Sequence, residues 1–153
     1  DYNIILRPHP RDRNNEKIQK IVSSFKKYNK FHYDTSENYM NIYSKCFLLI
    51  TDVSGTAYTY AFLTSQPIIF FTKNEHKLVN YKYDKLRFFL DRDKVGRKIK
   101  TSSEVIENIK YIENNYDSFI SSIESLRKNM QFFGKSKKKF EKELNSMNFS
   151  INN

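Results

Sequence analysis

The sequence contains few of the residues that usually mark a metal, redox or disulfide site. It has one cysteine, three glycines and three histidines among 153 residues. A single cysteine, Cys46, cannot form an intramolecular disulfide, and no Cys/His cluster has the spacing of a zinc site. We therefore expect Cys46 to be a buried, unreactive thiol in a reducing compartment, and we predict no metal and no cofactor.

Several motifs of known enzyme classes are also absent. The sequence has no Gly-x-Gly-x-x-Gly and no Walker lysine loop, which argues against a dinucleotide oxidoreductase and against an NTPase. The Gly-x-Ser-x-Gly elbow of serine hydrolases is missing too. No run approaches the ~20 apolar residues that span a bilayer, and we find no signal-peptide pattern. We expect a cytoplasmic protein, with a peripheral position on the inner face of the plasma membrane left open.

Aromatic and basic residues, by contrast, are abundant. Aromatic residues make up 16% of the sequence, which is too many for a disordered chain. The net charge is +10 and is spread along the chain, apart from one lysine-rich run in residues 135–142. That run is interpreted either as a solvated helix face or as a surface for anionic lipid or an anionic polymer. Because no recognised nucleic-acid module accompanies the charge, nucleic acid is not an expected partner.

Short apolar runs alternate with helix-compatible stretches in the first half of the chain. This alternation predicts an α/β, Rossmann-like three-layer domain with a parallel sheet, followed by C-terminal helices. The most continuous apolar run, residues 47–50, predicts a strand that is covered on both faces. The predicted strands are residues 4–6, 31–33, 47–50 and 68–71, and the predicted helices between them are residues 15–28, 37–45 and 57–63.

The second half is predicted to be mainly helical. Residues 73–94 show no clear period, and we expect an irregular excursion near the ligand. Thr101 and Glu104 have the spacing of a capping box, which opens a helix. A second helix places Phe119, Ile123, Leu126 and Met130 on one face. Residues 135–153 are expected to form a charged terminal helix or a frayed tail of the same domain, which occupies residues 1–134.

Arg7-Pro8-His9-Pro10, the first candidate loop, follows the first predicted strand. Ligands of open parallel sheets bind beyond the carboxyl ends of the strands. The two prolines restrict the backbone around His9. Arg7 offers a planar charged fork for phosphate, and His9 offers a donor or a proton carrier. A surface turn with incidental charges is the alternative.

The second candidate loop, residues 51–56, follows the apolar run and precedes a helix. Gly55 permits a close backbone approach or a positive φ, while Ser54 and Thr56 offer hydroxyl groups. The helix start adds backbone amides and a positive dipole end, so the loop is suited to an anion. A plain helix cap is the alternative. Asp52 would repel phosphate, so we expect it to orient the first loop or nearby amides, or to bind a polyol hydroxyl.

A third loop, residues 34–38, follows the second predicted strand. Its Thr35 and Ser36 lie where a nucleoside commonly packs in such folds, although helix capping explains them equally well. Neither of the remaining histidines, His32 and His76, has metal-ligand neighbours at a useful spacing. The three loops together are the candidate binding region.

The order of these motifs resembles a known family. An Ile/Leu-rich strand ends in Arg7-Pro8-His9-Pro10; about 40 residues later a strand ends in Thr51-Asp52-Val53-Ser54-Gly55, and a helix and Pro67-Ile68-Ile69-Phe70-Phe71 follow. This arrangement is similar to the C-terminal half of GT-B-fold transferases, above all the CDP-glycerol glycerophosphotransferase (teichoic acid polymerase-like) family and related capsule polysaccharide enzymes. The resemblance covers roughly residues 3–112.

The resemblance implies a domain that holds a nucleotide-diphosphate donor, CDP-glycerol or a nucleotide sugar. It implies that His9 acts at the reacting phosphate beside Arg7. It also implies that Asp52, Ser54, Gly55 and Thr56 line the diphosphate and glycerol region. The acceptor would be a lipid-linked or anionic cell-surface polymer, bound by an N-terminal domain that we expect to be missing here. A fragment of this kind is expected to bind donor but to turn over little.

Two other functions stay open at this stage. A UDP-GlcNAc 2-epimerase-like domain shares the GT-B architecture and a similar strand-end histidine loop. A non-catalytic basic α/β module would instead bind a membrane or a polyanion through its positive charge.

Overall fold

Parallel pairing of short strands organises the chain. The computed structural model describes residues 2–73, 75, 86–130 and 134–146, and these divide into two units, Asp1–Ile42 and Tyr43–Asn153. Each unit contains a parallel sheet with helices in its connections. The predicted α/β, Rossmann-like class with a parallel sheet and C-terminal helices is therefore confirmed.

The first unit is a strand, helix and strand. Its elements are β1 (Ile4–Leu6), a 3₁₀ turn (Pro10–Asp12), α1 (Glu16–Phe25) and β2 (Phe31–Tyr33), and α2 (Met40–Tyr43) begins at its end. β1 and β2 pair in parallel with Leu6 opposite Tyr33. Asn15 caps α1, because its side chain accepts a 2.9 Å hydrogen bond from the amide of Lys17. The two helices are shorter than the predicted residues 15–28 and 37–45.

The second unit contains the three-stranded sheet and most of the helices. Its elements are β3 (Leu49–Thr51), α3 (Thr56–Thr64), β4 (Ile68–Phe71), α4 (Arg87–Leu90), α5 (Arg92–Val95), β5 (Gly96–Ile99), a 3₁₀ turn (Ser102–Glu104), α6 (Val105–Asn114), α7 (Tyr116–Lys128) and α8 (Ser136–Ser146). The strand order is β3-β4-β5, and both pairings are parallel.

Burial differs between the central strand and an edge strand of this sheet. Ile68, Ile69 and Phe70 in the central strand β4 are fully buried. Ile50 in β3, an edge strand of the three-stranded sheet, is 47% exposed. The prediction that residues 47–50 are covered on both faces is therefore wrong, and the strand itself is Leu49–Thr51.

Within residues 73–94, the described residues 86–94 are more regular than predicted. Two short helices, α4 and α5, occupy 87–90 and 92–95, and the side chain of Arg92 is buried. A sequence period could not indicate them, because each helix has only four residues. Residues 74 and 76–85, which include His76, lie outside the described residues.

The C-terminal helices follow the predicted pattern closely. Thr101 and Glu104 form the predicted capping box. The apolar face of α7 buries Phe119 and Ile123, whereas Met130 lies beyond its last turn and is exposed. Residues 135–153 were predicted to form a charged terminal helix or a frayed tail, and the structure shows a helix, α8, as far as Ser146. No helix among the described residues has the length and apolar content needed to cross a membrane.

Candidate functional site

The parallel register of the first unit brings Arg7 and Asp34 together. Leu6 lies opposite Tyr33, so the next residue of each strand emerges at the same edge. Arg7 Nη1 donates to the Asp34 carboxylate and, at 3.2 Å, to Ser36 Oγ. Arg7 Nη2 donates to the Ser36 carbonyl at 2.8 Å. The structure thus joins two predicted site residues, Arg7 and Ser36, and adds Asp34 between them.

Asp34 is held in its ionised form by these contacts. Burial works to raise its pKa, but hydrogen bonds from Ser36 and Arg7, together with the charge of Arg7, outweigh that effect. The pKa of Asp34 therefore lies below its usual range. Its Oδ1 also accepts a 3.1 Å bond from the amide of Ser36, which fixes the start of the third loop.

His9 is exposed and has a defined hydrogen bond at one ring nitrogen. Its Nδ1 accepts from the amide of Arg11 at 3.2 Å, so His9 caps the 3₁₀ turn that begins at Pro10. A nitrogen that accepts cannot carry a proton, so neutral His9 is protonated at Nε2. The Nε2–H group is the one that His9 can offer to a phosphate oxygen. The preceding Pro8 is buried and anchors the loop.

Arg13 is a neighbour of this cluster that the sequence analysis missed. Its carbonyl accepts from Gln19 Nε2 at 2.6 Å and from the Tyr33 hydroxyl at 3.3 Å. Its Nη2 lies 3.5 Å from the Ser36 carbonyl, and its Nε is buried with no hydrogen-bond partner in the described part of the chain. The recurrence of arginine at positions 7, 11 and 13 was the available signal.

The loop after β3 presents two hydroxyl groups at the start of α3. Ser54 Oγ and Thr56 Oγ1 lie 2.9 Å apart, and the Ser54 carbonyl accepts from the amide of Ala57 at 3.1 Å. Gly55, the N-cap residue, has φ −60°, so of the two uses expected for glycine here, a close backbone approach or a positive φ, the second is not adopted. A Cβ atom added at Gly55 would meet no other atom within 4 Å. The geometry of the protein alone does not require glycine here.

The other predicted site residues are exposed, and the structure does not test the roles predicted for them. Asp52 and Thr35 are both exposed. The described residues contain no group of three or more His, Cys, Asp or Glu side chains that could hold a metal ion. His32 lies in β2 and is exposed.

Comparison with known families decides the relationship. The family model for CDP-glycerol:poly(glycerophosphate) glycerophosphotransferase matches residues 1–140. The chain belongs to this family. The match includes all three candidate loops and confirms the resemblance suggested by the sequence motifs, and the family is one of transferases. No curated protein and no solved structure matches the chain.

Cys46 is the one cysteine of this glycerophosphotransferase-family chain. Its thiol is partly buried, where a buried thiol was predicted, and that burial raises its pKa. Its carbonyl accepts a 2.8 Å bond from the hydroxyl of Tyr60, which is itself fully buried. A raised pKa lowers the thiolate fraction, in keeping with an unreactive thiol.

A separate concavity lies between α3, α4 and α7. Its volume is about 680 Å³, and its lining is mainly apolar. The Tyr58 hydroxyl donates to the Phe88 carbonyl at 2.9 Å on this wall, and burial is the main cause that raises the pKa of Tyr58 to about 12. The described lining residues, Tyr58, Phe62, Arg87, Phe88, Asp91, Leu126, Asn129 and Met130, include no predicted site residue.

Proposed function

We propose that this chain is the donor-binding half of a bacterial cell-surface polymer transferase. It binds CDP-glycerol, and the complete enzyme transfers glycerol phosphate to a teichoic acid or capsular acceptor. The observation that carries the proposal is the family match over residues 1–140. The order of the two strand-end loops supports it, because both candidate loops follow parallel strands.

His9 has the central role in this proposal. The acceptor hydroxyl gives its proton to a general base, its oxygen bonds to the β-phosphorus of CDP-glycerol, the P–O bond that bridges the two phosphates breaks, and CMP leaves with the electron pair. Negative charge grows on the bridging oxygen during this step, and a positioned donor stabilises it. The Nε2–H group of His9 suits that task because Nδ1 is already occupied by the amide of Arg11.

The loop after β3 is proposed to bind the donor through phosphate and glycerol oxygens. The hydroxyls of Ser54 and Thr56 lie at the start of α3, where the backbone amides and the helix dipole favour an anion. Gly55 leaves space for close approach of the donor. Asp52, which is exposed, is proposed to accept hydrogen bonds from the glycerol hydroxyls.

Calorimetric titration of the chain with CDP-glycerol, CMP and UDP-GlcNAc tests the proposal. We expect CDP-glycerol to bind more tightly than the other two nucleotides. Preferential binding of UDP-GlcNAc would favour the epimerase-like function, and the absence of nucleotide-specific binding would favour a non-catalytic basic module. Either result would overturn the proposed donor.

The matching variants are His9→Ala and Ser54→Ala. Each removes a hydrogen bond to a charged group, a loss of about 1.5–3 kcal/mol. We therefore expect the affinity for CDP-glycerol to fall by at least about tenfold. His32→Ala and Ser121→Ala are the controls, because both residues are exposed and lie outside the candidate loops. Unchanged affinity in both site variants would refute the proposed diphosphate contacts.

The acceptor is proposed to be an anionic polymer, with a membrane surface nearby. α8 supports this part of the proposal because it is basic, although Lys139 and Glu143 pair at 2.6 Å and reduce its free charge. We expect the chain to co-sediment with vesicles that contain anionic lipid, and to be released by salt. Equal binding to neutral vesicles would contradict an electrostatic attachment.

A further inference from the structure

Arg7 and Asp34 form an ion pair that joins the loop after β1 to the loop after β2. The two residues follow adjacent parallel strands, and the side chains are 19% and 11% exposed. Arg7 contacts Asp34 and Ser36 Oγ through Nη1, and the Ser36 carbonyl through Nη2. The two terminal nitrogens of the guanidinium are thus both engaged by residues 34–36.

This arrangement changes what Arg7 can do toward a phosphate. Its charge is balanced by the Asp34 carboxylate, and its planar fork is already matched to two oxygen acceptors on Ser36. A carboxylate in this position also repels an approaching anion. Three of the five N–H donors of Arg7 are used in these contacts, and the carboxylate beside them opposes binding of an anion by the other two.

Asp34 in turn orders the loop that it belongs to. Its Oδ1 accepts from the amide of Ser36 at 3.1 Å, and its other oxygen accepts from Arg7. The Ser36 hydroxyl continues the chain of bonds, with Ser36 Oγ 3.4 Å from the Asn38 carbonyl. The pair therefore determines where the backbone and hydroxyl groups of residues 34–38 lie.

We infer that Arg7 and Asp34 are a positioning pair, which holds the residue 34–38 loop in its donor-binding conformation, and that Arg7 is not itself a phosphate ligand. The inference rests on the proposed function and refines it. It assigns a role to Asp34, whose negative charge has no direct use in binding an anion. Recognition of the donor in this unit then falls to His9 and to the third loop.

The sign of one charge substitution separates the two roles of Arg7. If Arg7 binds phosphate and Asp34 merely competes for it, Asp34→Asn removes a repulsive charge, frees the guanidinium and tightens binding. If the pair positions the loop, Asp34→Asn loosens the loop and weakens binding. Arg7→Lys keeps the positive charge but cannot reach Asp34 and both Ser36 acceptors in the same plane.

The experiment measures the affinity of the chain for CDP-glycerol by calorimetry. We expect Asp34→Asn and Arg7→Lys each to weaken the affinity at least fivefold. The affinity of the double variant should be no lower than that of the single variant that binds less tightly, because both changes break the same pair. The controls are Asp12→Asn and Arg11→Lys, which make the same changes at exposed residues of the neighbouring turn and should leave affinity within twofold. Tighter or unchanged binding by Asp34→Asn would overturn the inference.

Hydrogen exchange in the ligand-free protein gives a second, independent readout. We expect the amide of Ser36 to exchange faster in Arg7→Lys and in Asp34→Asn than in the wild type, while the paired amides of β1 stay protected. If the wild type binds no CDP-glycerol, the proposed function fails, and unchanged exchange at Ser36 would then separately refute the positioning pair. Should Asp34→Asn not fold, the exchange of the Ser36 amide in ligand-free Arg7→Lys decides, because the affinity of that variant falls under both roles of Arg7.

Discussion

The guanidinium of Arg92 lies over the ring of Phe89, with 4.5 Å between Arg92 Cζ and the ring centroid, while its Nη1 donates to Glu75. The rings of Phe70 and Phe88 lie at 4.8 and 5.1 Å from the same atom. Arg92 is only 2% exposed, so this charge is stabilised by one carboxylate and three aromatic faces. Its Nε and Nη2 have no hydrogen-bond partner within the described residues.

This relationship predicts a strong dependence of stability on Glu75. Glu75→Ala leaves a buried charge without its carboxylate, so we expect the free energy of unfolding to fall by about 3 kcal/mol. Arg92→Met in the same background removes the unpaired charge and should recover part of that loss. Urea unfolding of the two variants and the wild type measures both effects. A double variant less stable than Glu75→Ala would contradict this account of the pair.

We expect a substitution at Gly55 to change ligand binding without changing stability. Because its φ is −60° and an added Cβ meets no atom within 4 Å, Gly55→Ala should change the free energy of unfolding by less than about 0.5 kcal/mol. If the donor approaches this backbone, the added methyl group should weaken binding of CDP-glycerol about tenfold. Thermal unfolding and calorimetry on the same sample check the two statements. Full affinity would mean that the donor does not contact Gly55.

At Gly96, unlike Gly55, we expect a substitution by alanine to lower the stability of the fold. A Cβ atom there would lie 1.7 Å from the carbonyl oxygen of Ile68, since β5 runs directly against the central strand. Gly96→Ala must therefore push the two strands apart, and we expect a loss of several kcal/mol or failure to fold. Gly55→Ala is the matched control, because it adds the same methyl group in open space. Equal stability of the two variants would show that the close approach is wrong.

Asp34 predicts a defined pH dependence of stability. Its pKa is lowered in the folded state, so its contribution is fully present above the pKa of the unfolded chain, near 3.9, and is lost as pH falls through the folded pKa. We expect Asp34→Asn to be less stable than the wild type at neutral pH. That difference should shrink once the pH falls below about 4.

Urea unfolding at a series of pH values follows this change, with Asp12→Asn as the control. Asp12 is an exposed carboxylate of the neighbouring turn. A wild-type advantage over Asp34→Asn that grows as the pH falls would contradict the direction of the Asp34 pKa.

Much of the fold was predictable because local patterns carried it. The apolar runs Ile4–Leu6 and Ile68–Phe71 are strands with the predicted bounds, and the capping box at Thr101 starts where its spacing indicated. The helices at 87–90 and 92–95 were missed because they are too short to show a period. The burial of β3 was overestimated because apolar content does not tell an edge strand from a central one.

For the candidate site, the sequence identified the loops and the family, but not the use of each side chain. His9, Ser54 and Thr56 were chosen for their chemical groups and their positions after strands, and these features are local. The pairing of Arg7 with Asp34, 27 residues apart, depends on which strands are neighbours and in what register. No local pattern contains that information.

The sequence by itself determined the class of fold, the membership of a glycerophosphotransferase family and the short list of residues able to meet a phosphate. Tertiary structure alone decided that Arg7 is engaged by Asp34 and Ser36 and that Gly55 lies in open space, whereas the Nδ1 atom of His9 is occupied by Arg11 of its own turn. The physical reason is that residue type fixes what a side chain is able to bind. Its contacts with residues distant in the sequence are fixed only when strand pairing brings them together, and those contacts decide which donors are left for a ligand.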